Sequence, residues 1–118
     1  MDITKYKKII DEVIIESMIS YMEFDEECVY TDKDIEECKK LLINYLDKIS
    51  AIERPNDNEI INQVKYLVTS LNKLNERSDY TLIETEQRED ICKLINESAV
   101  DIGLEKKYED ITEEWREW

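Results

Sequence analysis

The feature that most constrains the fold is one long apolar stripe between residues 58 and 77. Seven aliphatic side chains recur there at steps of three and four residues, namely Ile60, Ile61, Val64, Leu67, Val68, Leu71 and Leu74. At about 100° per residue they would cover one helix face about 140° wide. A helix over Asn58–Arg77 would be about 30 Å long, which is the breadth of a small domain. We therefore predict that this helix is the central rod against which the other helices pack.

Two helices are predicted before the central one. The first is expected over about Ile3–Glu23, with Asp2 as its N-cap. Its second half is apolar nearly all round, which favours either deep burial or a second contact surface. The second helix is expected over about Asp32–Glu53, where Thr31 and Asp34 form a variant of the capping box. The predicted inward face of the first helix is Tyr6, Ile9, Ile10, Val13, Ile14 and Tyr21, and that of the second is Ile35, Cys38, Leu42, Tyr45, Leu46, Ile49 and Ile52.

A fourth helix and a short amphipathic tail helix are predicted after the central one. The fourth helix is expected over about Glu84–Ile102, and Gly103 follows as a left-handed stop. In the tail, residues 105–118, one helix face would carry Tyr108, Ile111, Trp115 and Trp118. Two interpretations of these rings stay open. Either the tail folds back and closes one end of the bundle, or its rings form an aromatic anchor ringed by carboxylates.

The composition favours a single all-α domain over residues 1–118. One Gly and one Pro leave little material for the tight turns of an all-β fold. The four residues 54–57 form the clearest break and end in Asp57, the predicted N-cap of the central helix. So short a connection predicts that the second and third helices are antiparallel neighbours. We therefore predict an all-α fold, a four-helix antiparallel bundle with a short C-terminal amphipathic helix.

The net charge of −14 is concentrated toward the two ends of the chain. Residues 1–40 carry a net charge of −6, residues 41–78 are neutral and residues 79–118 carry −8. A field of this sign repels nucleic acid and anionic membranes and attracts basic protein surfaces. We therefore expect a basic protein partner, with no nucleic acid and no membrane as partner. Acidic charge that serves solubility alone is the plainer alternative.

The three cysteines, Cys28, Cys38 and Cys92, make an odd count and include no C-x-x-C pair. No basic-then-apolar leader and no apolar run of about 20 residues is present, so a cytoplasmic protein with reduced thiols is expected. Cys38 and Cys92 fall on or beside apolar faces and are expected to be small core residues.

The sequence gives little support to catalysis. There is no His, so the commonest general base, the usual triads and His-containing metal sites are excluded. Carboxylate chemistry would need Glu36 and Glu37 to gather Mg²⁺ with Glu86, Glu89 and Asp90, and the spacing matches such a site only in part. We expect no enzyme activity, no cofactor and no metal.

From residue 60 onward the chain resembles a little-characterised family of short, acidic, helical bacterial proteins. The segments that carry the resemblance are Leu71–Leu74 (LNKL), Glu84–Ile91 (ETEQREDI), Asp101–Leu104 (DIGL) and the ending Asp110–Trp118 (DITEEWREW). They cover about half of the chain, and the resemblance brings no activity with it. In size, charge and helical make-up the chain is also similar to the immunity proteins of bacterial toxin systems.

The leading hypothesis is therefore an immunity protein, an acidic binding protein that neutralises a cognate toxin by direct association. Such a protein would approach a basic toxin or nuclease quickly through long-range attraction and then hold it by an apolar centre. The predicted partner-binding residues are Asp25, Glu26, Glu27, Glu109, Asp110, Glu113, Glu114, Trp115, Glu117 and Trp118.

Two alternatives differ in the target or the chemistry. The chain could mimic nucleic acid and inhibit a nuclease or a DNA-binding protein such as a phage-defence effector. It could instead be a small Mg²⁺-dependent helical nucleotide hydrolase. A homodimer is compatible with all three hypotheses, because the second half of the first helix is apolar nearly all round.

Overall fold

A computed structural model describes all of residues 1–118 and shows four helical rods and no strand, which confirms the predicted all-α class. The first rod is continuous but has three parts: α1, a π-helical segment and α2. The elements are α1 (Ile3–Ile9), the π segment (Ile10–Ile15), α2 (Glu16–Phe24), α3 (Asp32–Ser50), α4 (Asp57–Arg77) and α5 (Thr85–Ile102). None of these helices combines the length and the apolar character that crossing a membrane would need.

Ion pairs between the rods show that chain neighbours run in opposite directions. Lys7 near the start of the first rod pairs at 2.9 Å with Asp47 near the end of α3. Asp11, farther along the first rod, pairs at 2.9 Å with Lys39, which lies earlier in α3. At the end of α4, the guanidinium of Arg77 pairs with carboxylates in the first turns of α3. Each of these neighbours is therefore antiparallel to α3.

The first rod and α5 are also antiparallel. The Tyr6 hydroxyl donates to the Asp101 carboxylate, 3.0 Å away near the end of α5. The Gln87 amide, near the start of α5, donates to the Ser17 hydroxyl at 2.6 Å. The four rods thus alternate in direction, as the bundle prediction requires.

The central helix is α3, not α4, so this part of the prediction is wrong. The backbone of α3 approaches the first rod, α4 and α5, whereas α4 packs closely along α3 alone. The stripe on α4 is nevertheless buried, with only Ile61 partly exposed. The width of a stripe measures how much surface a helix buries and does not reveal which elements cover it. On α4, part of that cover is the tail.

The π segment turns the first rod away from its predicted face. Val13 and Tyr21 were expected to point inward, but both are exposed, while Ile15 and Met18 are buried instead. Hydrogen bonds from residue i to i+5 place more residues in each turn than the α-helix has, so side chains beyond the segment lie at a different angle. Because this rod has apolar residues on several faces, its sequence fits both a regular α-helix and a helix with a π segment. The regular helical period alone predicted the first, and the structure has the second.

Hydrogen bonds from capping side chains place most helix starts where they were predicted. The Asp2 carboxylate accepts from the Lys5 N–H at 3.3 Å, and the Thr31 N–H donates to the Asp34 carboxylate at 3.0 Å. The N-cap of α4 is Asn56, one residue earlier than predicted, and its side chain accepts from the Glu59 N–H at 3.0 Å. Helix α3 ends at Ser50, three residues before the expected Glu53.

The tail does not form the predicted amphipathic helix. Residues 111–115 make turns, with a bond of 3.0 Å from the Arg116 N–H to the Thr112 carbonyl as one isolated helical contact. An isolated helix of this length is marginal in water. Here the tail lies between α4 and α5, and side chains of both helices bind its backbone. The tail thus fills the space that separates these two helices.

Candidate partner-binding surface

Asp57 binds the start of the tail. Its carboxylate is available for this because Asn56, and not Asp57, is the N-cap of α4. Its two carboxylate oxygens accept from the Glu105 N–H at 2.9 Å and from the Lys106 N–H at 3.0 Å. Leu104, just before these residues, is buried in the core. The tail therefore begins beside the start of α4 and runs from there along the space between α4 and α5.

Asp110 was predicted to bind a partner, and in the structure it is a main contact between the tail and α5. Its carboxylate accepts from the Asn96 amide at 3.0 Å and from the Thr112 hydroxyl at 2.6 Å, and it pairs with Arg116 at 3.3 Å. The Asn96 side chain also accepts from the Ile111 N–H at 2.8 Å. Burial by itself would raise the pKa of Asp110, but these hydrogen bonds and the Arg116 charge hold it below its ordinary value. Asp110 therefore acts within the fold.

Asn72 on α4 binds the other side of the tail. Its amide donates to the Trp115 carbonyl at 2.7 Å and its oxygen accepts from the Glu117 N–H at 3.0 Å. Trp115 and Trp118 are half-buried and pack against the core, as expected if the tail closes the bundle. Arg116 donates to the Trp118 carbonyl at 2.8 Å, and its guanidinium lies 5.6 Å from the centre of that ring. Both tryptophans thus contribute to packing.

Asp57, Asn72 and Asn96 were not among the predicted residues, although two of them carry a recognisable signal. Asn72 and Asn96 each fall at the edge of an apolar helical stripe. An amide at such a position is at least partly covered, and a covered amide needs hydrogen-bond partners. For Asp57 the sequence favoured an N-cap role, and only the displacement of the cap to Asn56 released its carboxylate.

The remaining acids of the tail are exposed and unpaired. Glu109, Glu113, Glu114 and Glu117 all face solvent, and none of them takes part in an ion pair. These four carboxylates are the part of the predicted tail surface that a partner can reach.

The second predicted group, Asp25, Glu26 and Glu27, forms an exposed turn at the end of the first rod. None of the three lies in an ion pair. The Asp25 carboxylate accepts from the Glu27 N–H at 3.0 Å, and the Cys28 N–H closes the turn onto the Asp25 carbonyl at 3.1 Å. No hydrogen bond or ion pair joins this turn to the tail acids. The structure thus presents two separate acidic groups.

Most of the negative charge is not neutralised within the molecule. Of the 30 carboxylates only five lie in ion pairs, namely those of Asp11, Asp34, Glu37, Asp47 and Asp110. The surface field expected from the net charge is therefore available to a partner.

The carboxylates considered for a Mg²⁺ site are not gathered into one. No group of three or more metal-binding side chains comes together anywhere in the chain. Glu37 is instead paired with Arg77. Burial raises the pKa of Asp90, and the neighbouring charges of Glu86 and Glu89 raise it further. The arrangement that the hydrolase alternative requires is thus not formed by these residues.

Sequence reasoning also left out an exposed aromatic residue. Phe24, the last residue of α2, is 88% exposed, and Tyr21 one turn earlier is 48% exposed. Phe24 was placed in a connection, and Tyr21 on the inward face. Since Phe24 is the single phenylalanine of the chain, its position beside an acidic turn was a signal that could have been used.

The chain matches no family model, no curated protein and no solved structure. The resemblance to short acidic helical bacterial proteins and to immunity proteins therefore stays a prediction.

Proposed function

We propose that this protein is an immunity protein, an acidic binding protein that neutralises a cognate basic toxin by direct association. The observation that carries the proposal is the set of exposed carboxylates without ion pairs at the turn Asp25–Glu27 and along the tail. The partly buried carboxylate of Asp110 is bound by groups within the fold. The exposed carboxylates lie in no ion pair and remain free to bind another molecule.

Unpaired carboxylates on a rigid bundle suit the first stage of association. A surface of one sign steers an oppositely charged partner and raises its association rate by about 10–1,000-fold at low salt. The helical scaffold and the hydrogen-bonded tail hold the backbone that carries these charges, so little backbone entropy is lost on binding. Blocking a basic catalytic cleft needs no chemistry from the inhibitor.

The first test is capture of the partner from the cells that produce the protein. The tagged full chain is incubated with lysate at low salt, and bound proteins are identified by mass spectrometry. We expect one stoichiometric basic protein whose toxic activity the purified chain abolishes. Recovery of no such protein at low salt would contradict the proposal.

Charge variants then test which carboxylates steer the partner. Neutralising the turn (Asp25→Asn with Glu26→Gln and Glu27→Gln) removes three charges. The matched control, Glu12→Gln with Glu53→Gln and Glu59→Gln, removes three exposed, unpaired charges elsewhere and gives the same net charge. We expect the turn variant to slow association about tenfold in stopped-flow measurements, and the control to slow it much less. Equal slowing in both would assign the effect to net charge alone.

The nucleic-acid mimic is less favoured as an alternative. A mimic needs carboxylates in one row at phosphate-like intervals, whereas the predicted partner-binding acids fall into two separate groups, the turn Asp25–Glu27 and the tail. The capture experiment also separates the two ideas, because an immunity protein would be recovered with a toxin whose activity it abolishes, whereas a mimic would be recovered with a DNA-binding protein that is not toxic to the producing cells.

A further inference from the structure

The end of the first rod and the loop after it expose three apolar side chains that are close together in the sequence and are here called the Phe24 patch. The Phe24 ring is 88% exposed, Tyr21 on the same helix face is 48% exposed and Val29 in the following loop is 51% exposed. Scattered single apolar residues are normal on a protein surface. These three are neighbours in the chain, and an aromatic residue removes about 150–250 Å² from water when a partner covers it.

The patch lies in the most uniformly acidic part of the chain. Between Lys8 and Lys33 there is no lysine or arginine. Glu23 and the turn acids Asp25–Glu27 flank the Phe24 ring along the chain, and none of them lies in an ion pair. Depletion of charge at the centre with charge at the rim is the usual arrangement of a binding patch.

Hydrogen bonds fasten the backbone that carries this patch. The Asp25 N–H continues the helical pattern onto the Tyr21 carbonyl at 3.0 Å. The hydroxyl of the buried Tyr30 donates to the Met18 carbonyl at 2.7 Å and so fastens the loop to α2. The Cys28 thiol approaches the Tyr30 carbonyl at 3.5 Å. Because the backbone is already held, little backbone freedom is lost when the ring binds.

None of the main surface cavities is lined by residues 21–30, and the Phe24 side chain is 88% exposed, so this patch offers a protruding side chain and not a cavity. We infer that Phe24, with Tyr21 and Val29, is the docking surface for a basic protein that has an apolar notch rimmed by lysine or arginine. The Phe24 ring enters the notch, and the carboxylates of Glu23 and of the turn Asp25–Glu27 meet the cationic rim. This inference rests on the proposed function and names the surface through which it acts.

Charge decides between the possible occupants. A second copy of the chain would bring four like charges against this rim, and both nucleic acid and an anionic membrane are repelled for the same reason. A cationic protein surface is complementary to the rim and to the apolar centre together.

The test places a photo-crosslinker at the centre of the patch. The full chain is made with Phe24→p-benzoylphenylalanine, and Tyr66→p-benzoylphenylalanine is the matched control. Tyr66 is 55% exposed on α4 and has the Lys48 ammonium 5.0 Å from its ring centre, so its surroundings are not uniformly acidic. After irradiation in lysate of the producing cells, we expect a crosslink to one basic protein from position 24 and none from position 66.

The crosslinked protein is then purified, and its affinity for alanine variants is measured by calorimetry. We expect Phe24→Ala to weaken binding by about 30-fold or more, the range of an interface hot spot, and Tyr66→Ala by less than about threefold. Because Phe24 is exposed, its removal should leave the melting temperature unchanged, which circular dichroism checks.

Each other outcome overturns a defined part of the reasoning. If the wild-type chain captures a basic toxin and Phe24→Ala binds it equally well, the docking surface is wrong and the proposed function stands. If the position 24 crosslink joins two copies of this chain, or a partner without a basic surface, the inference is also wrong. If the wild-type chain captures no stoichiometric partner, the proposed function fails first and the inference fails with it.

Discussion

Deleting Val13 tests whether the π segment amounts to one extra residue in the first rod. At about 100° per residue, a regular α-helix would spread the five buried side chains of this rod over about 180°. Deleting Val13 moves the residues after it back by one position, and the same five side chains then fall within about 100°. These buried residues are Tyr6, Ile10, Ile14, Ile15 and Met18.

The expected effect of this deletion on stability is small. Val13 is 43% exposed, so little buried surface is lost with it. The remaining residues can form a regular α-helix that keeps the inward face. We expect the free energy of unfolding to change by no more than about 1 kcal/mol, equivalent to about 4 °C in the melting temperature. Thermal and urea unfolding followed by circular dichroism measure this change.

Deleting Lys40 is the matched control. Lys40 is an exposed residue in the regular helix α3. This helix has no π segment that could compensate for the loss of one residue. Deleting Lys40 would turn four buried side chains about 100° away from the core, at about 2 kcal/mol each or about 8 kcal/mol together. That is comparable with the whole stability of a domain, about 5–15 kcal/mol, so cooperative unfolding should be lost. If deleting Val13 lowers the free energy of unfolding as much as deleting Lys40 does, the π segment is not equivalent to one extra residue.

Four other substitutions test separate features of the fold. Asn72→Ala removes two hydrogen bonds to the tail, so it should lower the free energy of unfolding by about 2 kcal/mol and shift tryptophan emission to the red. The emission reports the tail because both tryptophans lie there, and Asn62→Ala on the exposed face of the same helix should have neither effect. Gly103→Ala should lower the melting temperature, at about 1–2 kcal/mol, because a φ of +125° strains any residue with a Cβ. Tyr80→Gly should raise stability by about 0.5–1 kcal/mol in urea unfolding, because Tyr80 has a φ of 59° and its side chain is exposed. The lowered pKa of Asp110 stabilises the fold above the ordinary Asp pKa of about 4, and this contribution disappears as the pH falls through the lower pKa of the folded state. The urea midpoints of the wild type and Asp110→Asn should therefore converge as the pH falls below about 4.

The helices themselves were readable from the sequence because their signals are local. The α3 stripe from Ile35 to Ile49 is buried as expected, and helix starts follow from capping side chains a few residues away. Gly103 was recognised as a helix stop because it is the one residue without a Cβ, and its positive φ agrees. Period and capping depend on neighbours within one or two turns, which a single sequence contains.

The tail and the choice of central helix were not readable because they depend on contacts between distant residues. The pattern of the tail rings fits a helix, but Asn72 lies 43 residues from Trp115, and Asn96 lies 15 residues from Ile111. These amides take up tail backbone groups that a helix would have paired within itself. Likewise, the buried hydroxyl of Tyr45 on α3 lies 3.0 Å from Ser98 on α5, a contact that no stripe predicts.

The same contacts separate acids that serve the fold from acids that do not. Asp57 and Asp110 each bind backbone or side-chain donors, so removing either carboxylate should destabilise the chain. Glu26 and Glu113 bind nothing in the chain, and at a net charge of −14 they add to a self-repulsion that works against folding. Stability alone gives no reason to keep such carboxylates unpaired. Solubility would be served by acids at any exposed position, so it does not account for the absence of lysine and arginine from the segment between Lys8 and Lys33, which contains Phe24. The proposed contact with a cationic partner would account for both the unpaired charge and its location, and for this reason the acidic turn beside Phe24 is the surface on which the proposed function depends.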